Sequence, residues 1–333
     1  GHASMPEARL HLADSLYETQ AFEEALKHFS AFLEASPGHK LAQRARDGQA
    51  WCLRKLGQLD KALELFLAIA ADYPKSDLAP QALFAAAAIR SEQKQHGEAA
   101  KLYAQAAAEY PRHKLATESA YRAASALYAA EQFDEAAKAL QDFLDKHPKS
   151  DFTDDALYDL AWAHLKLDKT DEKVAALNRL LADFPKSTYA PGAHFLLGDH
   201  AFEAKRYPEA ATHYAACARD AQGDELAKAL YKLAWSHYHA EKWDDATAAF
   251  AQLIAAAPSG PFAAEAHYLT GTILQKRGQH ADALAAFTKT LDAKPQPKYE
   301  ERALYQIAQC HQALGKWADA LKQYKATLEK YPE

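Results

Sequence analysis

Sixteen histidines, three cysteines and several close-set acids are the side chains here that could hold a metal ion or move a proton. None has the spacing such chemistry needs. His164, His237 and His311 recur at one register but 73 and 74 residues apart. Packed helices lie about 8–10 Å apart, and a metal–nitrogen bond spans about 2 Å, so histidines that far separated cannot share an ion. His237 and His239 are two residues apart and point to different sides of a helix, and no HExxH occurs. Core histidines hydrogen-bonded to backbone are the expectation. Cys52, Cys217 and Cys310 form no CxxC or finger spacing, which argues against a disulfide framework or a zinc site. Asp151, Asp154 and Asp155 resemble a carboxylate cluster, but acids at the start of a helix offset its dipole, and that explains them. No glycine-rich loop follows a strand to cradle phosphate. The expectation is a chain that is not an enzyme, with no catalytic residues, no metal and no cofactor.

The rings, by contrast, are regular. Leu10, Asp47, Phe84, Tyr121, Tyr158, Phe195, Tyr231, Tyr268 and Tyr305 share one register, seven of them aromatic in a chain with 11% aromatic residues. Four residues on, and so on the same helix face, stand Trp51, Trp162 and Trp235; seven on stand Tyr17, Tyr128, Phe202 and Tyr238. Large rings give much contact area at low entropy cost and are frequent binding hot spots. A ladder of Trp51, Tyr121, Tyr128, Tyr158, Trp162, Phe195, Phe202, Tyr231, Trp235, Tyr238, Tyr268 and Tyr305 is therefore the candidate partner-binding surface. The competing reading is that each Tyr or Phe packs on the preceding helix. The tryptophans favour recognition, because they occur irregularly whereas packing residues recur.

A fixed stride places these residues. Pro37, Pro74, Pro111, Pro148 and Pro185 are 37 residues apart; after a vacant slot near Gln222 the series resumes at Pro258, Pro295 and Pro332. Nine units ending near 37, 74, 111, 148, 185, 222, 258, 295 and 332 account for residues 6–333. A period in this range means stacked supersecondary repeats. Within the fourth-to-fifth unit, Leu157, Leu160, Ala161 and His164 give an amphipathic helix over about Asp155–Leu167, with Ser150-Asp151 as its cap. Gly57, Gly278 and Gly315 mark the reversal into the second helix. Counting back from each proline, twelve residues gives Ala25, Ala62, Ala99, Ala136, Ala210, Ala246, Ala283 and Ala320, broken only by Lys173. Eight gives a large ring or Leu, from Phe29 to Tyr324, and twenty-four gives only Ala or Gly. Small residues let two helices approach, and a large one fills the groove between them. Lys173 and the vacant proline slot suggest an irregular joint over residues 165–225.

These columns resemble the tetratricopeptide repeat (TPR) family, over about residues 6–332. The extended period and the Tyr73-Pro74-Lys75-Ser76 link resemble bacterial envelope TPR proteins of the TolA-binding coordinator and outer-membrane assembly lipoprotein type. The resemblance implies an all-α, right-handed superhelical solenoid of nine helix-turn-helix repeats. It also implies a concave groove lined by first helices that holds a peptide or protein partner. That makes the chain a non-catalytic scaffold, with an envelope or periplasmic place favoured over the cytoplasm. Carbohydrate binding by the same rings, as in TPR regions of polysaccharide-export proteins, is the alternative.

Composition agrees with a protein partner. Thirty-nine basic against 45 acidic residues give a net charge of −6, unsuited to nucleic acid as the main partner. No apolar run approaches the roughly 18 residues of a membrane span. Residues 1–5 read as a cloning remnant. No extra polar helix follows the last repeat, so either a longer natural chain or self-association through terminal repeats is expected.

Overall fold

The structure is a computed structural model that describes residues 4–332. Gly1–Ala3, part of the expected remnant, lie outside the described residues; Ser4 and Met5 open the first helix. Every described element is an α-helix. Internal contacts divide the chain into two compact parts, one up to Arg179 and one from Leu180.

In the amino-terminal part the helix pairs are α1 (Ser4–Glu18) with α2 (Phe22–Ala35), α3 (Ala42–Lys55) with α4 (Leu59–Asp72), α5 (Leu78–Glu92) with α6 (His96–Glu109), and α7 (Ala116–Ala129) with α8 (Phe133–Lys146). Helix α9 (Thr153–Lys166) follows, and α10 (Thr170–Asp183) spans the division. In the carboxy-terminal part come α11 (Ala190–Glu203) with α12 (Tyr207–Asp220), and α13 (Gly223–His239) with α14 (Trp243–Ala256). The last pairs are α15 (Ala263–Lys276) with α16 (His280–Asp292), and α17 (Pro297–Ala313) with α18 (Trp317–Lys330). Within each part neighbouring helices pack in chain order, and contacts that skip a helix join successive first helices, as α7 with α9 or α15 with α17.

The proline-indexed columns form the interior. The alanines twelve residues before each link are buried, and Lys173 is buried among them. Of the rings eight before, Phe66, Tyr214, Phe250 and Phe287 are fully buried, and Tyr324 of the last repeat is half-buried. The reason for a small residue opposite them is visible at two glycines. A Cβ on Gly198 would meet the Tyr214 ring at 2.7 Å, and one on Gly271 would meet Phe287 at 2.7 Å.

Each hairpin turns through one residue of positive φ at a constant register: Gln20, Gly57, Lys94, Glu131, Asp168, Lys205, Glu241, Gly278 and Gly315. Around it the Schellman pattern recurs: the Gly57 N–H donates to the Arg54 carbonyl at 3.1 Å and the Gln58 N–H to Leu53 at 2.9 Å. Sequence points to only the three glycines. Between repeats a second motif recurs two residues after the proline. His39 Nδ1, Ser76 Oγ, His113 Nδ1, Ser150 Oγ and Ser187 Oγ each accept the N–H two residues further on, at 3.1–3.2 Å.

Two local expectations change. Helix α9 begins at Thr153, two residues before the expected start, and its cap position is Phe152, without a side-chain cap. Ser150 instead orders the turn before the helix, accepting from Phe152 N–H and from Thr153 Oγ1 at 2.8 Å. At the vacant proline slot only Ala221 and Gln222 separate α12 from α13, and α13, like α17, is 17 residues long where the other first helices have 14 or 15.

Candidate partner-binding face

The candidate rings lie on first helices, where the 3.6-residue period puts residues four and seven apart on one side. Most of them also meet partners inside the fold. Tyr121 stacks on Phe152 with centroids 5.4 Å apart, and its hydroxyl donates to Asp159 at 3.0 Å. Tyr231 repeats this arrangement, stacking on Phe262 at 4.4 Å and donating to Glu265 at 3.1 Å. Tyr268 touches Phe287 at 5.6 Å and Tyr299 at 5.5 Å, and Phe195 touches Tyr214 at 5.6 Å. Tyr121, Phe195, Tyr231 and Tyr268 thus each contact a second-helix ring of their own repeat, a ring opening the next repeat, or both. Tyr305, at the last such position, is exposed. Burial sets the electrostatics here. It raises the Tyr121 hydroxyl far above the ordinary phenol range and pushes Tyr231 up to about 12.

The tryptophans sit differently. Trp51 is half-buried, edge-on to Phe66 at 5.1 Å, with the Arg54 guanidinium 5.5 Å from its ring; Arg54 is paired with Glu92. Asp47, four residues before Trp51, stands where other repeats have a ring. Burial pushes its carboxyl up to about 6, against a hydrogen bond from Trp51, and its Oδ1 is buried with no hydrogen-bond partner. Trp162 is half-buried and edge-on to Tyr158 at 6.2 Å. In three other repeats this register holds Ala88, Ser125 and Thr272.

Trp235 belongs to the largest ring assembly. It stacks on His239 at 5.2 Å and meets Tyr238 at 5.5 Å, and Tyr238 meets Trp243 at 5.4 Å. His239 also stacks on Tyr207 at 4.9 Å, which contacts Phe202 at 5.4 Å. Lys276 lies 4.8 Å from the Trp243 ring, and Lys232 lies 5.6 Å from Phe202 while pairing with Asp199 at 2.9 Å. The structure thus joins Phe202, Trp235 and Tyr238, and adds Tyr207, His239 and Trp243, which sequence reading did not single out. The signal was present: Tyr17–Phe22, Tyr128–Phe133, Phe202–Tyr207 and Tyr238–Trp243 all place two rings five residues apart across the hairpin turn, with centroids 5.3–5.4 Å apart.

The histidine expectation needs correcting. His164, His237 and His311 are core-facing, but their Nδ1 atoms are buried without a hydrogen-bond partner rather than bonded to backbone. Burial holds His164 and His237 below the ordinary imidazole value. Among the described residues no three His, Cys, Asp or Glu side chains gather where they could hold one metal ion. The three cysteines are free and buried.

Hairpins of helix stacked in register, with ring-bearing first helices, define a class of helical repeat proteins built for protein interaction. This chain belongs to the tetratricopeptide repeat family. One tetratricopeptide repeat model matches residues 2–40, 12–77 and 231–296, and a second such model matches 81–113 and 302–333. An outer membrane lipoprotein model matches residues 113–222. No curated protein matches the sequence significantly. Among solved structures, the C-terminal part of a TPR repeat-containing protein from Cytophaga hutchinsonii is similar with a TM-score of 0.56 and 15% identity, over 75% of this chain and 95% of that one. A tetratricopeptide repeat protein from Parabacteroides merdae matches 91% of this chain and 98% of its own, at a TM-score of 0.45 and 15% identity. The first of these likenesses is one of fold. No helix among the described residues is long and apolar enough to cross a membrane.

Proposed function

We propose that this chain is a non-catalytic scaffold that grips a segment of a partner protein through the ring-bearing first helices of its repeats, with Trp51 and Trp162 as anchors in the amino-terminal part and Trp235 in the carboxy-terminal part. One observation carries the reading. The register of Trp51, Trp162 and Trp235 accepts Ala88, Ser125 and Thr272 in other repeats that fold the same way. Stacking therefore does not require a ring there, and a half-buried indole that stacking does not require is suited to a partner. The neighbouring charges are mostly committed: Arg54 to Glu92 and Lys232 to Asp199. This favours a segment recognised by shape and apolar contact over one recognised by charge. An extended or a helical segment would both fit such a face. The outer membrane lipoprotein match supports a place in the bacterial cell envelope, in the assembly of a complex there.

The test is affinity capture from envelope extract with the parent, Trp162→Ala and Trp235→Ala, alongside circular dichroism. A partner held by the parent and released by either variant at unchanged helicity supports the reading. Loss of helicity would instead make the tryptophans part of the core. Cell-wall or exopolysaccharide fragments that quench tryptophan fluorescence would favour a glycan ligand.

A further inference from the structure

We propose that His194 and His213 form a two-imidazole site for a divalent transition-metal ion of the Zn²⁺ or Cu²⁺ kind, which clamps α11 to α12. The two residues stand 19 apart in sequence, one on each helix of a single hairpin, and their Nδ1 atoms meet at 3.1 Å. That separation suits a chelate. Nitrogens about 2.0–2.1 Å from one ion lie about 2.9 Å apart at a right angle and about 3.3 Å apart at the tetrahedral angle. The observed distance falls between the two. With no ion between them, one Nδ1 carries a proton and donates to the other, and the rings face nitrogen to nitrogen with centroids 5.4 Å apart. To share an ion, the donor ring takes its proton on Nε2 instead, and no net proton is lost. Each ring then pivots until both lone pairs converge, which draws the centroids together by about 0.6 Å.

Packing does not ask for imidazoles here. The same two registers hold Leu83 with Leu102, Ala120 with Ala139, and Leu230 with Ala249 in repeats that form the same hairpin. His267 repeats the first position, but its counterpart across the hairpin is Ala286; the sixth repeat alone has histidine at both. Both rings are half-buried, so packing fixes them while part of each stays open to solvent. Around the pair, the charges of Arg206 and Arg219 are offset by Glu209 and Asp220. Glu209, one turn before His213, is engaged by Arg206 at 3.0 Å. Among the described residues no third His, Cys, Asp or Glu completes the set, so the ion keeps water in its remaining positions. Imidazole nitrogen selects Zn²⁺, Cu²⁺ and Ni²⁺ over Mg²⁺ and Ca²⁺, which prefer oxygen. Spacing along the chain hides such a pair, because its two members meet only when the hairpin closes.

Calorimetric titration of the parent, His194→Ala and His213→Ala with Zn²⁺ tests this, together with thermal melts in chelator and in stoichiometric Zn²⁺. The fourth repeat has Ala120 and Ala139 at these registers, so both variants are expected to keep the parent's helicity. Exposed histidines such as His11 and His239 bind weakly and alike in all three chains. The parent is expected to hold one Zn²⁺ in the micromolar range and to melt at a higher temperature with Zn²⁺ than in chelator, because an ion bound only by the folded chain stabilises it. Each variant should lose that ion, its tightest site weakened by about tenfold or more, and melt alike in both solutions. A variant that binds Zn²⁺ as the parent does overturns the proposal. So does a parent whose tightest site is no stronger than those the variants keep, or one whose melt Zn²⁺ leaves unmoved. The parent's own titration and melt decide the matter whether or not a variant folds.

Discussion

Six of the nine hairpin turns place a residue other than glycine at positive φ, where the side chain crowds the backbone at a cost of about 1 kcal/mol. Replacing Lys94, at φ 59°, with glycine is therefore expected to stabilise the chain by up to about 1 kcal/mol, less the extra freedom glycine gives the unfolded chain. Gly57→Ala, at φ 73°, should destabilise by about as much. Denaturant melts would show both shifts, and opposite signs would remove the strain argument. Gly57 could be read as a turn from the sequence and Lys94 could not, because the left-handed region is costly to lysine rather than forbidden. Asp47 gives a pH signature. Its folded value of about 6 lies above the ordinary 3.8, so its contribution to stability is full below about 3.8 and lost as pH rises through about 6. Asp47→Asn should abolish that loss and stabilise the protein at pH 7 by on the order of 2 kcal/mol. The half-buried His164, His194, His213, His237 and His267 act in the opposite sense. Burial lowers all five, so their contribution is present above about 6.5 and lost as pH falls below it. Melts of the parent and Asp47→Asn from pH 4 to 8 separate the two effects, and parallel curves would place the Asp47 carboxyl in solvent.

Helix pairing depends on volume. A Cβ on Gly198 meets the Tyr214 ring at 2.7 Å, and Ala136 is fully buried at the equivalent of the other small column. Gly198→Ala and Ala136→Leu should each overpack their contact and destabilise by about 1–3 kcal/mol. A thermal melt unchanged from the parent would contradict either placement. This layer was legible before any coordinates, because stacking asks the same size at the same register in each repeat, so Ala25 through Ala320 repeat the demand openly. Helix ends were less legible: Ser150 can cap a helix or order the turn before one, and the choice depends on the His147 and Ser150 carbonyls that Thr153 reaches. The candidate face was half legible. Periodicity put Tyr121 and Tyr231 on first helices, but their hydroxyl partners Asp159 and Glu265 stand 38 and 34 residues away. Only three-dimensional proximity separates a ring committed to its neighbour from one that is available.

At the scale of the whole chain several departures from the repeat gather in one region. Lys173 is buried where alanine is otherwise found, α13 starts without the proline link, and the chain divides between Arg179 and Leu180. Residues 165–225 are therefore expected to exchange amide hydrogen faster than the repeats on either side; uniform protection across them would remove the joint. The link motif has a consequence for how such a protein can change its length. Pro74 is followed by a Ser76 that holds Leu78, and Pro111 by a His113 that holds Leu115, so the two junctions are chemically interchangeable. Excising residues 75–111 would splice Pro74 onto Arg112 and leave an intact junction, whereas excising half as many would join two unlike backbones. Viable truncations and duplications in this gene should then come in whole multiples of one stride, a quantised ruler written into the coding sequence.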